Sequence, residues 1–176
     1  YKEANQIDMF LGITINNIRV GLIAFTLGIL GGLGTFLVAM QNAVMLGSFQ
    51  YFFADKGLLW ESARTIWIHG TIEISVIIIC TAAGFVVGKS ILMPGTYTRM
   101  KAFLKGVKDA LKIVVSTIPF FIIAGFLEGF VTRLTGMPDF VAILVIGLSL
   151  ALILFYYVIY PIQLKKQNNA TKLSAV

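Results

Sequence analysis

The only histidine of the chain stands near an acid within an otherwise apolar stretch. Residues 66–80 read IWIHGTIEISVIIIC, in which His69 precedes Glu73 by four positions. Residues four apart share one face of a helix, so this imidazole and this carboxyl group can touch. Ionisable residues inside a bilayer are costly, and they usually face the protein interior and find a partner there. The spacing therefore predicts an intramembrane polar site.

The composition of the chain is that of a membrane protein. Of its 176 residues, 58% are hydrophobic and 12% are charged, and the mean hydropathy is +0.90. Soluble domains are about 45–50% apolar and about 25% charged. In this class the net charge of +6 indicates topology rather than nucleic-acid binding. Cys80 is the only cysteine, which excludes an internal disulfide.

The apolar runs predict an all-α membrane protein, a bundle of about four transmembrane helices. A helix needs about 20 apolar residues to cross the hydrocarbon. Four runs qualify, and they cover residues 18–40, 66–87, 113–132 and 140–162. The apolar piece at 43–54 is too short to cross, so we expect a re-entrant or an interfacial helix there. The polar tail at 165–176 is predicted to be disordered.

The basic residues predict how these spans are oriented. Eleven of the 14 Lys and Arg residues lie at the N-terminal side up to Arg19, between the second and third spans, or in the tail. Because basic residues accumulate on the cytoplasmic side, both termini are expected in the cytoplasm. The ends of the spans near Asn42, His69 and Arg133 then face outward.

Three predicted helices bring polar side chains to one depth. With a rise of 1.5 Å per residue, Glu73 lies roughly 10 Å and Glu128 about 7 Å below the outer boundary. Asn42 follows the end of the first span at the same face. The sequence therefore predicts a site of His69, Glu73, Glu128 and Asn42 in the outer half of the bilayer.

A second polar group opens the first predicted span. Asn16 and Asn17 precede this span and Arg19 lies in its first turn. An Asn at this position is typical of a helix N-cap. These three residues are therefore expected at the inner end, away from the histidine.

Two carboxyl groups and one imidazole leave several arrangements open. One glutamate stays protonated, or a cationic His69 pairs with one glutamate, or a divalent cation is held by His69, Glu73 and Glu128. Interhelical hydrogen bonding alone is a further interpretation, worth roughly 0.6 kcal/mol on average. The first three predict an ion, proton or ligand site, whereas the last predicts a purely structural role.

No established catalytic signature is present, so the sequence favours a protein that is not an enzyme. The zinc-protease pattern His-Glu-x-x-His needs two histidines, whereas the order here is His-Gly-x-x-Glu. The chain also lacks a Gly-x-Ser-x-Gly elbow and a phosphate-binding loop of the type Gly-x-x-x-x-Gly-Lys. An intramembrane metal-dependent hydrolase is the interpretation that fits least.

Small residues recur one turn apart in three of the predicted spans. The spacing Gly-x-x-x-Gly occurs at 28 and 32, at 84 and 88, and at 125 and 129. Such pairs let helix backbones approach closely. They predict a compact bundle and leave open whether some of these faces form a homodimer.

Taken in order, these motifs resemble the stage II sporulation protein M family. The resemblance covers roughly residues 16–133 and is carried by NNIRVGLIAFTLGILGG, Asn42, HGTIE, AAGFVVG, PGTYTR and AGFLEGF. Carried over residue by residue, the polar positions of the family are Asn17, Asn42, His69, Glu73 and Glu128. The resemblance implies that these residues matter without assigning their role.

The resemblance also implies a location and a kind of activity. A multi-pass protein of the bacterial cytoplasmic (inner) membrane is expected, in contact with lipid and with protein partners. In spore formers the family member is implicated in engulfment, as a membrane partner of septal peptidoglycan hydrolases. The favoured interpretation is a membrane scaffold or accessory protein of the cell envelope, and the alternative is a small ion- or proton-coupled permease that uses the same polar site.

Overall fold

The computed structural model describes residues 2–132 and 137–174, with the side chains of 6–132 and 137–169. Every element in these ranges is helical. The helices are α1 (Lys2–Thr26), α2 (Leu33–Asp55), α3 (Leu59–Leu92), α4 (Arg99–Phe126), α5 (Asp139–Leu154) and α6 (Tyr160–Ser174). A 3₁₀ turn at Leu27–Leu30 follows α1, a π-helical turn at Leu127–Val131 follows α4, and a second one at Phe155–Ile159 joins α5 to α6. The predicted all-α membrane class is confirmed, and five helical segments of the described chain are long and apolar enough to cross a membrane.

The structure differs from the prediction at the first span. The chain reverses direction between α1 and α2, where Gly31 and Gly32 have φ angles of +67° and +88°. Glycine adopts this left-handed conformation without a steric penalty. The hydroxyl of Thr35 at the start of α2 donates to the carbonyl oxygen of Ala24 in α1 at 2.7 Å, which ties the two helices together. The predicted span therefore contains the end of one helix, a turn and the start of the next.

This turn also changes the interpretation of the apolar piece at 43–54. It is the second half of the 23-residue α2, so the prediction of a separate re-entrant or interfacial helix is wrong. The error has a physical cause. A turn built from glycine and leucine is as apolar as a helix, so hydropathy does not reveal it. The tail differs as well, since its backbone is helical as far as Ser174, and residues 175–176 lie outside the described ranges.

Helix α3 occupies the centre of the bundle and packs against α1, α2, α4 and α5. Its 34 residues make it about 51 Å long at 1.5 Å per residue. Helix α1 runs parallel to α3, since Gly28 lies beside Gly84 and Gly21 beside Cys80. Helix α4 runs antiparallel to both, with Gly125 against Thr14 of α1.

The five passes alternate in direction, so Lys2 and Ser174 lie at opposite ends of the bundle. The expectation that both termini face one side rested on an even number of spans. Helix α2 adds a pass that the hydropathy profile does not separate from α1, so the number of passes is odd. The expectation that both termini face one side therefore no longer follows.

Close backbone contact holds α1 against α3. A Cβ atom added to Gly28 would overlap the carbonyl oxygen of Gly84, and one added to Gly84 would meet the carbonyl oxygen of Ala24. Gly88 approaches the backbone of the turn at Gly31 and Gly32 in the same way. These contacts fix α1 and α3 at the turn end of the bundle, and they set the separation of the two helices toward the polar residues.

Candidate intramembrane polar site

Helices α3 and α4 bring the three predicted ionisable residues together. His69 and Glu73 lie one turn apart on α3, and Glu128 lies in the π-helical turn after α4. One ligand atom from each lies within 4.8 Å of the other two. The Nε2 atom of His69 is 3.9 Å from Oε2 of Glu128, and the two side chains are 14% and 30% exposed. This group is called the His–Glu–Glu cluster below.

The π-helical turn positions a threonine behind the histidine. Both the backbone nitrogen and the hydroxyl of Thr132 donate to the carbonyl oxygen of Leu127, at 2.8 and 3.0 Å. The same hydroxyl oxygen lies 3.2 Å from Nδ1 of His69. A π turn is rare, and such turns occur frequently at functional sites. Here it brings Glu128 and Thr132 to two different nitrogen atoms of one imidazole ring.

Two asparagines of α1 complete a cavity beside the cluster. The cavity has a volume of about 350 Å³ and is lined by Asn16, Asn17 and the three cluster residues, with Gly12 and Ile13. Asn17 is buried, with 6% of its surface exposed, and lies beside Glu73. Its side-chain nitrogen is buried without a hydrogen-bond partner of normal geometry. Asn16 is exposed at the opening of the cavity.

The prediction that Asn16 and Asn17 lie at the inner end, away from the histidine, is therefore wrong. Helix α1 begins at Lys2, so Asn17 lies within this helix and is not its N-cap. Because α1 runs parallel to α3, Asn17 comes level with Glu73. Arg19 lies two residues further along α1, in a surface groove with Ile15 and Leu22, so it does not stand at the start of a helix either.

Asn42 lies on the other side of Glu73. It lines a second cavity of about 270 Å³ between α2 and α3, together with His69, Glu73 and mainly apolar residues. Its side-chain nitrogen donates to the carbonyl oxygen of Val38 at 2.8 Å. The predicted fourth member thus borders the cluster from α2 but does not line the cavity that contains Glu128. Glu73 contributes to both cavities.

An ion pair marks the end of the bundle nearest the cluster. Arg64 of α3 pairs with Asp139 at the start of α5, and Nε1 of Trp60 donates to the same carboxylate at 3.3 Å. Glu73 follows Arg64 by nine residues, which is about 14 Å along the helix axis. The cluster therefore lies further inside the bundle than Trp60, Arg64 and Asp139, which are residue types found at membrane interfaces.

One residue of the site was not predicted from the sequence. Thr132 ends the third predicted span, and a single hydroxyl group in an apolar helix does not indicate a functional role. The available signal was its spacing, since Thr132 follows Glu128 by four residues and so lies one turn further along the same face.

The chemistry open to the His–Glu–Glu cluster follows from its composition. Two carboxyl groups in apolar surroundings repel each other when both are ionised, and a cation between them removes that repulsion. Imidazole and carboxylate are ligands for zinc and related ions. The same groups also form a chain along which a proton can move between Glu73, His69 and Glu128.

Comparison with known proteins agrees with the sequence motifs. The family described as stage II sporulation protein M matches residues 1–133, about three quarters of the chain, including all members of the cluster. No curated protein and no solved structure matches the chain. With its helical membrane fold, the chain belongs to the stage II sporulation protein M family.

Proposed function

We propose that this protein is a multi-pass membrane accessory protein that holds a cation in the His–Glu–Glu cluster. The observation that carries the proposal is the convergence of three ligand atoms within 4.8 Å, from two helices, inside an apolar bundle. A bound cation would offset the repulsion between Glu73 and Glu128 and would link α3 to the end of α4. Binding rather than catalysis is proposed, because the single histidine supplies no second imidazole for the zinc-protease pattern.

Cation binding is tested directly on the purified protein. After treatment with a chelator and dialysis against a panel of divalent ions, metal content is measured by mass spectrometry. The wild type is expected to retain a cation, and Glu73→Gln and Glu128→Gln are each expected to lose it. Glu61→Gln is the matched control, because Glu61 is an exposed acid on the same helix. If none of the ions is retained by the wild type, or if Glu61→Gln has the same effect as Glu73→Gln, the proposal fails.

The accessory role concerns proteins of the cell envelope, and peptidoglycan-remodelling enzymes are the proposed partners. Family membership supports this proposal, and so do the exposed apolar faces of α2 and α5, since α2 buries only Gly34 and Thr35. Photo-crosslinking from Val44 of α2 in native membranes tests it. The expected result is a crosslink to an envelope protein that is absent when the probe stands at buried Val76 of α3. Crosslinks to lipid alone would contradict the partner role.

A small permease is the second candidate, favoured by one observation. Glu73 borders both cavities, one lined by Asn17 of α1 and the other by Asn42 of α2. A side chain with access to two cavities can exchange an ion or a proton between them. Flux into liposomes that contain the wild type but not Glu73→Gln would support transport. A cation that binds without any flux would leave the accessory role as the function.

A further inference from the structure

We infer that the His–Glu–Glu cluster is a transition-metal site of the zinc class, in which Thr132 fixes the histidine tautomer and Asn17 provides a further polar contact. The inference rests on the proposed cation-binding function and names the class of cation. It depends on which nitrogen of His69 carries the proton, on the donor atoms of the cluster and on the buried amide of Asn17.

The hydrogen bonds of Thr132 determine the tautomer. A threonine hydroxyl has one hydrogen, and in Thr132 that hydrogen is directed to the carbonyl oxygen of Leu127. Toward His69 the hydroxyl oxygen is therefore an acceptor, so Nδ1 carries the hydrogen and donates across 3.2 Å. In a neutral imidazole, Nε2 is then left with its lone pair.

This nitrogen atom lies close to one of the two acids. Nε2 is 3.9 Å from Oε2 of Glu128, which is too far for a hydrogen bond but close to the separation of two ligand atoms on one metal ion. Histidine ligands of metals commonly donate their other ring N–H to an oxygen acceptor, which orients the ring. In this site Thr132 supplies that acceptor from the π-helical turn. The geometry is that of a metal-binding imidazole and its supporting residue.

The donor set selects the class of metal. Calcium and magnesium take oxygen ligands, whereas an imidazole nitrogen beside two carboxylates suits zinc and neighbouring transition metals. Zinc holds nitrogen and oxygen ligands at about 2.0–2.2 Å, so two ligand atoms on one tetrahedral ion are about 3.3–3.6 Å apart. The three ligand atoms lie within 4.8 Å of one another, so a movement of at most about 1.5 Å in the flexible glutamate side chains brings them into range.

Asn17 is an independent sign of a ligand. Its side chain is buried and faces the same cavity, yet its amide nitrogen has no partner of normal geometry. The contact between this amide and the carboxyl group of Glu73 lies outside normal hydrogen-bond geometry, so an ion or a water beside them would satisfy both buried groups. The two orientations of an asparagine amide are not distinguished by its shape, and one of them directs a carbonyl oxygen at the metal or at a water bound to it.

The cavity supplies the remaining coordination. Three protein ligands leave the fourth position of a tetrahedral zinc ion open. The 350 Å³ cavity is lined on the other side by Asn16 and Asn17, of which Asn16 is exposed. It offers room for water as the last ligand.

The test compares metals and two threonine variants on the chelator-treated, full-length protein in lipid nanodiscs. Titration calorimetry with Zn²⁺, Mn²⁺, Ca²⁺ and Mg²⁺ is expected to give the tightest binding for Zn²⁺, and His69→Gln is expected to lose it. Thr132→Val, which removes the acceptor but keeps the shape, is expected to weaken Zn²⁺ binding by about 10–100-fold. Thr132→Ser is expected to restore it.

The visible spectrum of bound Co²⁺ gives a readout that a structural role of Thr132 would not change. Wild type is expected to show the bands of four-coordinate cobalt, and Thr132→Val is expected to alter them while its helical circular dichroism stays the same. Thr65→Val is the matched control, because Thr65 is an exposed threonine of α3 whose hydroxyl also donates to a backbone carbonyl.

The outcomes separate this inference from the proposed function. Tighter binding of Ca²⁺ or Mg²⁺ than of Zn²⁺, with no effect of His69→Gln, would overturn the transition-metal inference and leave cation binding in place. Equal Zn²⁺ affinity of Thr132→Val and wild type would overturn the role of Thr132. Absence of binding for all four ions would overturn both proposals.

Discussion

Helices α1 and α3 meet in two different ways along their length. Near the turn between α1 and α2, Gly28 and Gly84 bring the two backbones into contact. Toward the other end the same helices are separated by Asn17 and Glu73, with a cavity beside them. One pair of helices therefore serves two purposes. Backbone contact at one end holds the helices rigidly, and this lets polar side chains with an unfilled space persist at the other end.

The largest expected effect comes from breaking the glycine contact. Gly84→Leu places a side chain where the carbonyl oxygen of Ala24 and the side chain of Thr35 lie, so α1, α2 and α3 must separate. We expect the free energy of unfolding to fall by more than about 3 kcal/mol, measured by thermal unfolding in detergent. Gly47→Leu on α2 is the control, since nothing lies within 4 Å of its added Cβ. Equal melting temperatures for the two variants would show that the contact does not hold the bundle.

The second-largest effect is the stabilisation of the folded protein by a cation bound at the His–Glu–Glu cluster. At a metal concentration about 100 times its Kd, binding is expected to stabilise the folded protein by about 2.7 kcal/mol. The double variant Glu73→Gln, Glu128→Gln should gain nothing from the metal, because its ligands are gone. The measurement is the melting temperature with and without Zn²⁺. A similar gain in the double variant would indicate that the metal binds elsewhere.

A smaller effect is expected from the amide that faces the cavity. Asn17→Leu should weaken metal binding by about tenfold, as loss of a supporting contact does at other metal sites. It should change the stability of the metal-free protein by less than about 1 kcal/mol, because the buried amide that it removes has no hydrogen bond of normal geometry. Calorimetry and thermal unfolding on the same samples check both parts. A large loss of metal-free stability would instead indicate that Asn17 serves only to hold α1 against α3.

The smallest effect is expected at a polar contact far from both regions. The hydroxyl of Tyr157, in the π-helical turn after α5, lies 3.1 Å from the hydroxyl of Ser116 in α4. Hydrogen bonds between membrane helices contribute roughly 0.6 kcal/mol on average, so Tyr157→Phe should change stability by about this amount and leave metal affinity unaltered. Thermal unfolding and calorimetry would show this. Altered Zn²⁺ affinity in this variant would mean that the cluster is not energetically separate from α5.

The sequence was sufficient to predict which three ionisable residues meet in the cluster but not the path of the chain to it. His69 and Glu73 share a helix face by their spacing, and Glu128 comes level with them because α4 returns antiparallel to α3 after a short connection. Both arguments need only the helical period and the lengths of the spans. They do not depend on where α1 begins.

Asn17 was misplaced because it depends on tertiary information. The reversal at Gly31 and Gly32 is apolar in sequence, so one long span and two helices joined by a turn have the same hydropathy. Hydropathy therefore predicts that the first helix begins near residue 18, and this prediction makes Asn17 an N-cap. Thr132 is not predicted for another reason, since its role depends on the π-helical turn, in which the backbone of Thr132 donates to Leu127 five residues earlier, and hydropathy does not reveal such a turn.

The length of α3 has a consequence for the opposite side of the bilayer. A helix of about 51 Å exceeds the roughly 30 Å of hydrocarbon, and even at a tilt of 40° it would reach about 39 Å. Because Arg64 and Trp60 mark the interface at one end, the excess lies at the other end, where Gly88 and Leu92 pack against the turn at Gly31 and Gly32. This end of α3, the turn and the lysine-bearing start of α4 therefore form one packed unit at the opposite surface of the membrane, and a displacement of α3 at Glu73 would reach that surface through it.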